Sequence, residues 1–238
     1  MPSCEWLSSL TSSDLEIGEM EVLGRLVDAS NATLLCEIEG ESGKFKVIYK
    51  PIAGERPLWD FQDGNLAYRE VAAYVVSELL GLHVVPETVL REGPFGPGSV
   101  QRWIDVEEDL DIVAIAQSKI LAIEKIVLFD AIVNNTDRKY GHILPVSDSV
   151  IFGCDHGLTF HSEDKLRTVL WQFAGDPLSK EAISSLQNFL EKLPQSGLAN
   201  FLIEDEIDSL AHRTLRLLEE GIYPFPSQEW PAVPWPPF

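Results

Sequence analysis

The sequence predicts an α+β, bilobal chain, β-rich with one helix to about Gln101 and helical from Arg102 onward. Three observations lead there. Before Asp105, short runs of β-branched and aromatic residues alternate with turn-forming clusters. After Asp105, apolar residues recur at helical spacing instead. Within that second part stand two polar loops, Asn134-Asn135-Thr136-Asp137-Arg138-Lys139-Tyr140-Gly141-His142 and Cys154-Asp155-His156-Gly157, of the kind a rigid scaffold displays for chemistry.

Residues 1–18 are Ser- and acid-rich with little periodicity, and read as a mobile lead-in. The β-rich lobe, 19–101, opens with runs at Met20–Val27, Thr33–Glu39 and Lys44–Tyr49. They are joined by Asp28-Ala29-Ser30-Asn31-Ala32 and by Gly40-Glu41-Ser42-Gly43, which predicts an antiparallel meander. Asp63-Gly64-Asn65 starts a helix over Leu66–Leu80, stopped by Gly81. Strands are expected at Val84–Leu90 and Ser99–Trp103, around a Gly/Pro-dense turn from Gly93 to Gly98. In the helical lobe, 102–223, one long helix over Ala114–Asn134 delivers the chain into the first polar loop. A hairpin, Ile143–Val146 with Val150–Gly153, then separates Asp137 from Asp155. Helices follow at about Glu181–Lys192 and Glu204–Glu220. The stretch Pro224–Phe238, with six prolines and two tryptophans, reads as an extended surface wrap or a docking strip.

Composition narrows the partners. With 18 basic against 38 acidic residues the formal charge is -20, which argues against bulk binding to nucleic acid or an anionic membrane, since both need phosphate charge neutralised. Three cysteines without a CxxC pair read as reduced thiols. No apolar run reaches the length of a bilayer span, and Met1-Pro2-Ser3-Cys4-Glu5 lacks a basic leader, so a cytoplasmic setting without membrane insertion is expected.

The chemistry rests on four residues taken together. Lys50 ends a strand just before Pro51, and Glu70 lies in the helix that follows, where it can fix the direction of that ammonium. Alone, Lys50 would read as a solvated strand-edge lysine and Arg69-Glu70 as an ordinary exposed pair. Asp137 alone would be a turn residue. Asp155, following an apolar strand and preceding Gly157, is expected half buried and so in need of a cation. In this order, with eighteen residues from Asp137 to Asp155, they supply what phosphoryl transfer from ATP asks: cations for phosphates, a carboxylate for metal and a carboxylate beside the attacking hydroxyl. His142, His156 and His161 cluster nearby, but without H-x-H or HExxH they do not form a metallohydrolase ligand pattern.

Asn135-Thr136-Asp137-Arg138 followed by Asp155-His156-Gly157 resembles the signature of the phosphatidylinositol 3-/4-kinase clan, which includes HipA-type kinases. More closely, the chain is similar to an actinobacterial family with distant likeness to that clan. The resemblance covers roughly residues 20–175 and implies a bilobal, atypical protein-kinase-like fold with ATP and Mg²⁺ (or Mn²⁺) as cofactors. It implies that Asp137 orients or deprotonates the acceptor hydroxyl, Asp155 ligates metal, and Lys50 contacts phosphates with Glu70 as its partner. Gln101-Arg102-Trp103 falls at the interlobe hinge whose backbone would pair with adenine. The glycine-free loop Asp28–Thr33, with Ser30, would cover the phosphates.

The departure from the clan is His142, where an Asn commonly serves as second metal ligand. Imidazole suits Mn²⁺ or Zn²⁺ better than Mg²⁺. Three readings stand: His142 binds a metal other than Mg²⁺; it donates to a phosphate while Asn135 or water completes the metal shell; or the pocket binds nucleotide without turnover. Nucleotidyl transfer from the same pocket is a further alternative. Lys165-Leu166-Arg167 and Arg138-Lys139 are the nearest basic residues, available to an acidic acceptor or only offsetting acidic surface. So few of them in so acidic a chain favours a protein or small-molecule acceptor over a lipid.

Overall fold

Apolar residues alternate along Leu34–Gly40 and Gly43–Pro51, and this alternation builds the upper lobe. In the computed structural model, which describes residues 12–26, 31–40, 43–56, 58, 60–61, 65–107, 109–147 and 149–238, five antiparallel strands form one sheet. They are β1 (Glu19–Arg25), β2 (Leu34–Gly40), β3 (Gly43–Pro51), β4 (Thr88–Gly93) and β5 (Gly96–Arg102), in the order β1-β2-β3-β5-β4. Cys36 pairs with Val47 and Ile38 with Phe45, and Leu34, Cys36, Ile38, Val47, Tyr49 and Val100 bury one face. With a period of two, Lys50 necessarily points to the opposite face from Tyr49. Of the expected lead-in, Ser12–Ile17 is instead a short helix, α1, with Leu15 fully buried under the sheet. Residues 1–11, Val27–Ser30, Glu41, Ser42, Pro57, Trp59, Gln62, Asp63, Gly64, Glu108 and Asp148 lie outside the described residues, and with them the first half of the expected phosphate-covering loop.

Helix α2 (Leu66–Leu79) crosses between β3 and β4. Asn65 caps it through a 2.8 Å bond from the Tyr68 N–H, and the Glu55 carboxylate takes the Leu66 and Ala67 N–H groups at 3.0 and 2.8 Å. Two strand expectations shift. The strand foreseen from Val84 begins only at Thr88, because the Val84 and Val85 N–H groups bond the Ser77 hydroxyl and Pro86 has no N–H to offer. The Gly/Pro turn is tighter than foreseen: Gly93 already pairs with Gly96, leaving only Pro94 and Phe95 in the loop.

The long helix foreseen over Ala114–Asn134 is two helices, α3 (Ile112–Ala116) and α4 (Leu121–Val133). The Ser118 hydroxyl bonds the Ile115 carbonyl at 2.6 Å and Gln117 reaches away to the Val169 carbonyl at 2.8 Å, so local side-chain bonds end α3 where periodicity alone would continue it. α4 is buried on nearly every side, from Ile126 through Val133, and forms the axis of the lower lobe. Around it pack the hairpin β6 (Ile143–Ser147) and β7 (Val150–Gly153), α5 (Lys180–Lys192) and α6 (Glu204–Glu220). α5 buries Ala182, Leu186 and Phe189, a four- and three-residue stripe. The stripe of α6 is unusual in including Glu206 and Arg213. Residues 224–238 run without helix or strand along this lobe, with the Ala232 carbonyl accepting from the Thr168 N–H and the Pro237 carbonyl from the Tyr140 N–H.

Candidate active site

α4 ends at Asn134 in a left-handed conformation (φ 53°), a region that Asn tolerates better than most side chains. Its amide spans outward to the His161 and Glu163 carbonyls at 2.9 and 2.6 Å and takes the Lys165 N–H at 2.9 Å. The loop beyond is held by Arg138, fully buried, whose fork grips Asp130 at 2.9 and 2.8 Å. The same guanidinium donates to the His142 and Cys154 carbonyls at 3.2 and 3.1 Å and to His156 Nε2 at 2.8 Å. One cation thereby ties both Asp-bearing loops together. Gly153 leaves room for it, since a Cβ there would stand 2.9 Å from either terminal nitrogen. Arg138 is thus a buried strut and not a contact for an acidic acceptor. Its signal in the sequence was Asp130, a carboxylate inside an apolar helix, which demands a partner. Because Arg138 can only donate, His156 Nε2 accepts, and the ring is neutral; burial, with Arg138 beside it, pushes its pKa well below the ordinary imidazole value.

Lys50, Glu70 and Asp155 meet where the lobes face each other. The Lys50 ammonium pairs with Glu70 Oε1 and with Asp155 Oδ1 at 2.7 Å, and Glu70 Oε2 accepts the His156 N–H at 3.0 Å. Glu70 is almost completely buried, so both of its oxygens are committed. Burial opposes the charge on Lys50, but Asp155 and Glu70 outweigh it and hold its pKa above the usual lysine value. Lys50 in turn, against the cost of burial, depresses the Asp155 carboxyl well below the usual range. Asp155 keeps 52% of its side-chain surface, close to the half burial expected, and has a left-handed backbone (φ 60°).

His142 Nε2 lies 3.4 Å from Asp155 Oδ2. Burial lowers the His142 pKa, with Asp155 pulling the other way, so its imidazole is neutral near pH 7. Its Nδ1 is buried without a hydrogen bond. Asp137 faces Lys139, 3.1 Å from Oδ2, and its pKa is raised, because burial outweighs that cation. Asn135 is not brought to the cluster. It is 1% exposed, its Oδ1 accepts the Asp137 N–H at 3.0 Å and its Nδ2 donates to Asp130, which makes it a brace for the loop. The hinge segment is also committed: the Arg102 N–H bonds the Glu87 carbonyl and the Trp103 N–H the Lys46 carbonyl, closing those two donors to adenine. Gln101 donates to Thr88 at 2.8 Å and Arg102 to Glu87 at 2.7 Å. Ser30 lies outside the described residues. Lys165, read from the sequence as available to an acidic acceptor or only offsetting acidic surface, ion-pairs with Asp60 and Glu163 at 2.5 and 3.0 Å.

Among the described residues no three His, Cys, Asp or Glu side chains converge into a ready metal cage. The donors that do face each other, the Asp155 carboxylate and the neutral His142 imidazole, suit a divalent ion that takes the rest of its shell from phosphate and water.

No family model matches the sequence. Protein Rv2133c of Mycobacterium tuberculosis (strain ATCC 25618 / H37Rv) is 37% identical over 259 aligned residues, spanning 93% of this chain and 93% of the relative. The chain belongs to the Rv2133c family. The structure of this Rv2133c-family member is similar to that of a Golgi casein kinase (TM-score 0.57, 12% identity, 92% of this chain and 75% of that one). It is also similar to the Golgi casein kinase with Mn/ADP bound (TM-score 0.56, 11% identity, 87% and 74%) and to Fam20 of hydra with sugar (TM-score 0.53, 12% identity, 92% and 89%). At such identities the likeness concerns the fold: the Rv2133c-family chain has the α+β, bilobal fold of atypical kinases. Among its described residues no helix is long and apolar enough to cross a membrane.

Proposed function

We propose that this protein is an ATP- and divalent-metal-dependent phosphotransferase of the phosphatidylinositol 3-/4-kinase-like clan, acting in the cytoplasm on a protein or small-molecule hydroxyl. The observation that carries the reading is Lys50 held between Glu70 and Asp155 across the two lobes, with Asp137 on the neighbouring loop. A solvated lysine would need neither partner. The kinase fold of the structural neighbours, one of them holding Mn/ADP, adds support.

In this reading Lys50 contacts the phosphates of ATP, and Glu70 keeps the ammonium aimed. Asp155, with His142, would hold the divalent ion, which neutralises phosphate charge when bound. The acceptor oxygen forms a bond to the γ-phosphorus as the bond to ADP breaks, and Asp137 orients the hydroxyl and takes its proton. The raised pKa of Asp137 makes its carboxylate a better base than an exposed aspartate. Mn²⁺ is favoured over Mg²⁺ because one of the two facing donors is an imidazole. The same residue supports the second reading, a nucleotide-binding pseudokinase, since His142 stands where the clan's second metal ligand is an Asn.

The test is transfer from γ- and α-labelled ATP in parallel, with Mg²⁺ and separately Mn²⁺. Asp137→Ala should lower γ-label transfer by roughly 10²–10⁴-fold and leave nucleotide binding in place. Label from the α-position would mean nucleotidyl transfer instead. Nucleotide binding without transfer from either position would establish the pseudokinase.

A further inference from the structure

Glu70 works only if α2 holds both its position and its rotation about its own axis. Its Oε1 must meet Lys50 from the upper lobe and its Oε2 the His156 N–H from the lower one. A side-chain tip stands about 5–6 Å from a helix axis, so a rotation of about 20° would move the carboxylate by on the order of 2 Å, enough to break either contact. Packing of small apolar residues resists separation of helices better than it resists such rolling. A second, differently directed anchor is required.

The residue before Glu70 supplies one. Arg69 projects about 100° around the helix and donates through Nε and Nη2 to Glu206 Oε1 at 3.1 and 2.5 Å. Both residues are buried, at 3% and 5% exposure. Glu206 is immobile in its own right, since its Oε2 accepts the Ile203 N–H at 3.1 Å and so caps α6. The Arg69 guanidinium also lies 5.0 Å from the Phe61 ring, and Glu55 clamps the first turn of α2. A charge buried on both sides gains little net stability over an apolar pair. What it provides here is direction, a fixed bearing from α2 to α6.

We infer that Arg69 and Glu206 form a positioning pair that locks the rotation of α2, so that Glu70 grips Lys50 without any activating movement of this helix. The inference rests on the phosphotransferase reading above. It assigns to α6, far in sequence from every motif, a role in nucleotide affinity, and it makes α2 a fixed part of the lower lobe.

Arg69→Met should raise the KM for ATP about tenfold or more, with Arg69→Lys in between because it keeps the charge and loses the fork. Hydrogen exchange should quicken in α2 while α4 stays protected. Where Arg69→Met does not fold, Glu206→Gln, which keeps the volume, carries the same comparison. Wild-type ATP affinity in a folded variant would overturn the assignment, as would exchange that quickens equally in α2 and α4, the mark of a purely structural pair. Should wild type bind nucleotide without transferring phosphate, the phosphotransferase reading fails on its own. The titrated nucleotide Kd then replaces KM, and a variant that binds as tightly as wild type still overturns the positioning role.

Discussion

At the scale of single residues, the site is organised by which carboxylate faces which cation. Asp155 and Asp137 lie on adjoining loops, yet their pKa values move in opposite directions. Lys50 sits directly on Asp155 and lowers it; Asp137 is raised by burial, with Lys139 offsetting only part of the cost. If Asp137 must be ionised to act, the acid limb of the pH–rate profile lies above that of an ordinary aspartate. Removing the offsetting cation should push it further up. Lys139→Met is therefore expected to move the acid limb of kcat/KM to higher pH, whatever it does to the plateau, and a limb that stays put or moves down would separate Asp137 from the proton. Lys50, Asp137 and Asp155 stood out in the sequence because strand ends and Asp-bearing loops advertise themselves, and Glu70 only because its helix follows Lys50. Asn135 and Arg138 were legible as types but not in direction. A polar residue beside a motif can face the ligand or the scaffold, and here the scaffold wins because Asp130 lies beneath them.

At the scale of elements, strand alternation and helix caps carried most of the reading, and the failures occurred where side chains capture backbone groups. Ser77 holds Val84 and Val85 out of β4, and Ser118 with Gln117 divides α3 from α4. Neither event alters apolar periodicity, so periodicity cannot announce it. The end of α4 has the same character, with one Asn amide organising the segment from His161 to Lys165. Asn134→Ala should cost about 4 kcal/mol, from three hydrogen bonds at about 1 kcal/mol each and about 1 kcal/mol because alanine lacks the short polar side chain that lets asparagine tolerate the left-handed region. Asn134→Gly, which keeps the backbone geometry, should lose about 1 kcal/mol less. Urea midpoints compare the two directly, and a loss below 1 kcal/mol for the alanine variant would show that the amide is not what secures this segment.

At the scale of the whole molecule, the bilobal plan was visible as a change in periodicity near Asp105, whereas the ties between lobes were not. Arg69 with Glu206, Lys50 with Asp155, and Asp60 with Lys165 join positions 137, 105 and 105 residues apart. No local window contains both members of such a pair, so a single sequence does not show which of its charges meet. The stretch 224–238, read from the sequence as an extended wrap or a docking strip, places its Pro237 carbonyl on the Tyr140 N–H in the first polar loop and its Ala232 carbonyl on the Thr168 N–H. With a net charge of -20 the chain repels itself at low salt. Those cross-lobe pairs place several of its few cations where acidic groups from both halves meet.

The wide separation of those ion pairs also orders events in time. Contacts between distant positions form slowly, because loop closure is costly before it is rewarded. On dilution from urea, far-UV circular dichroism should recover first and protection by ATP later. Under the proposed function, the protein would regain its outline before it regains its grip on nucleotide.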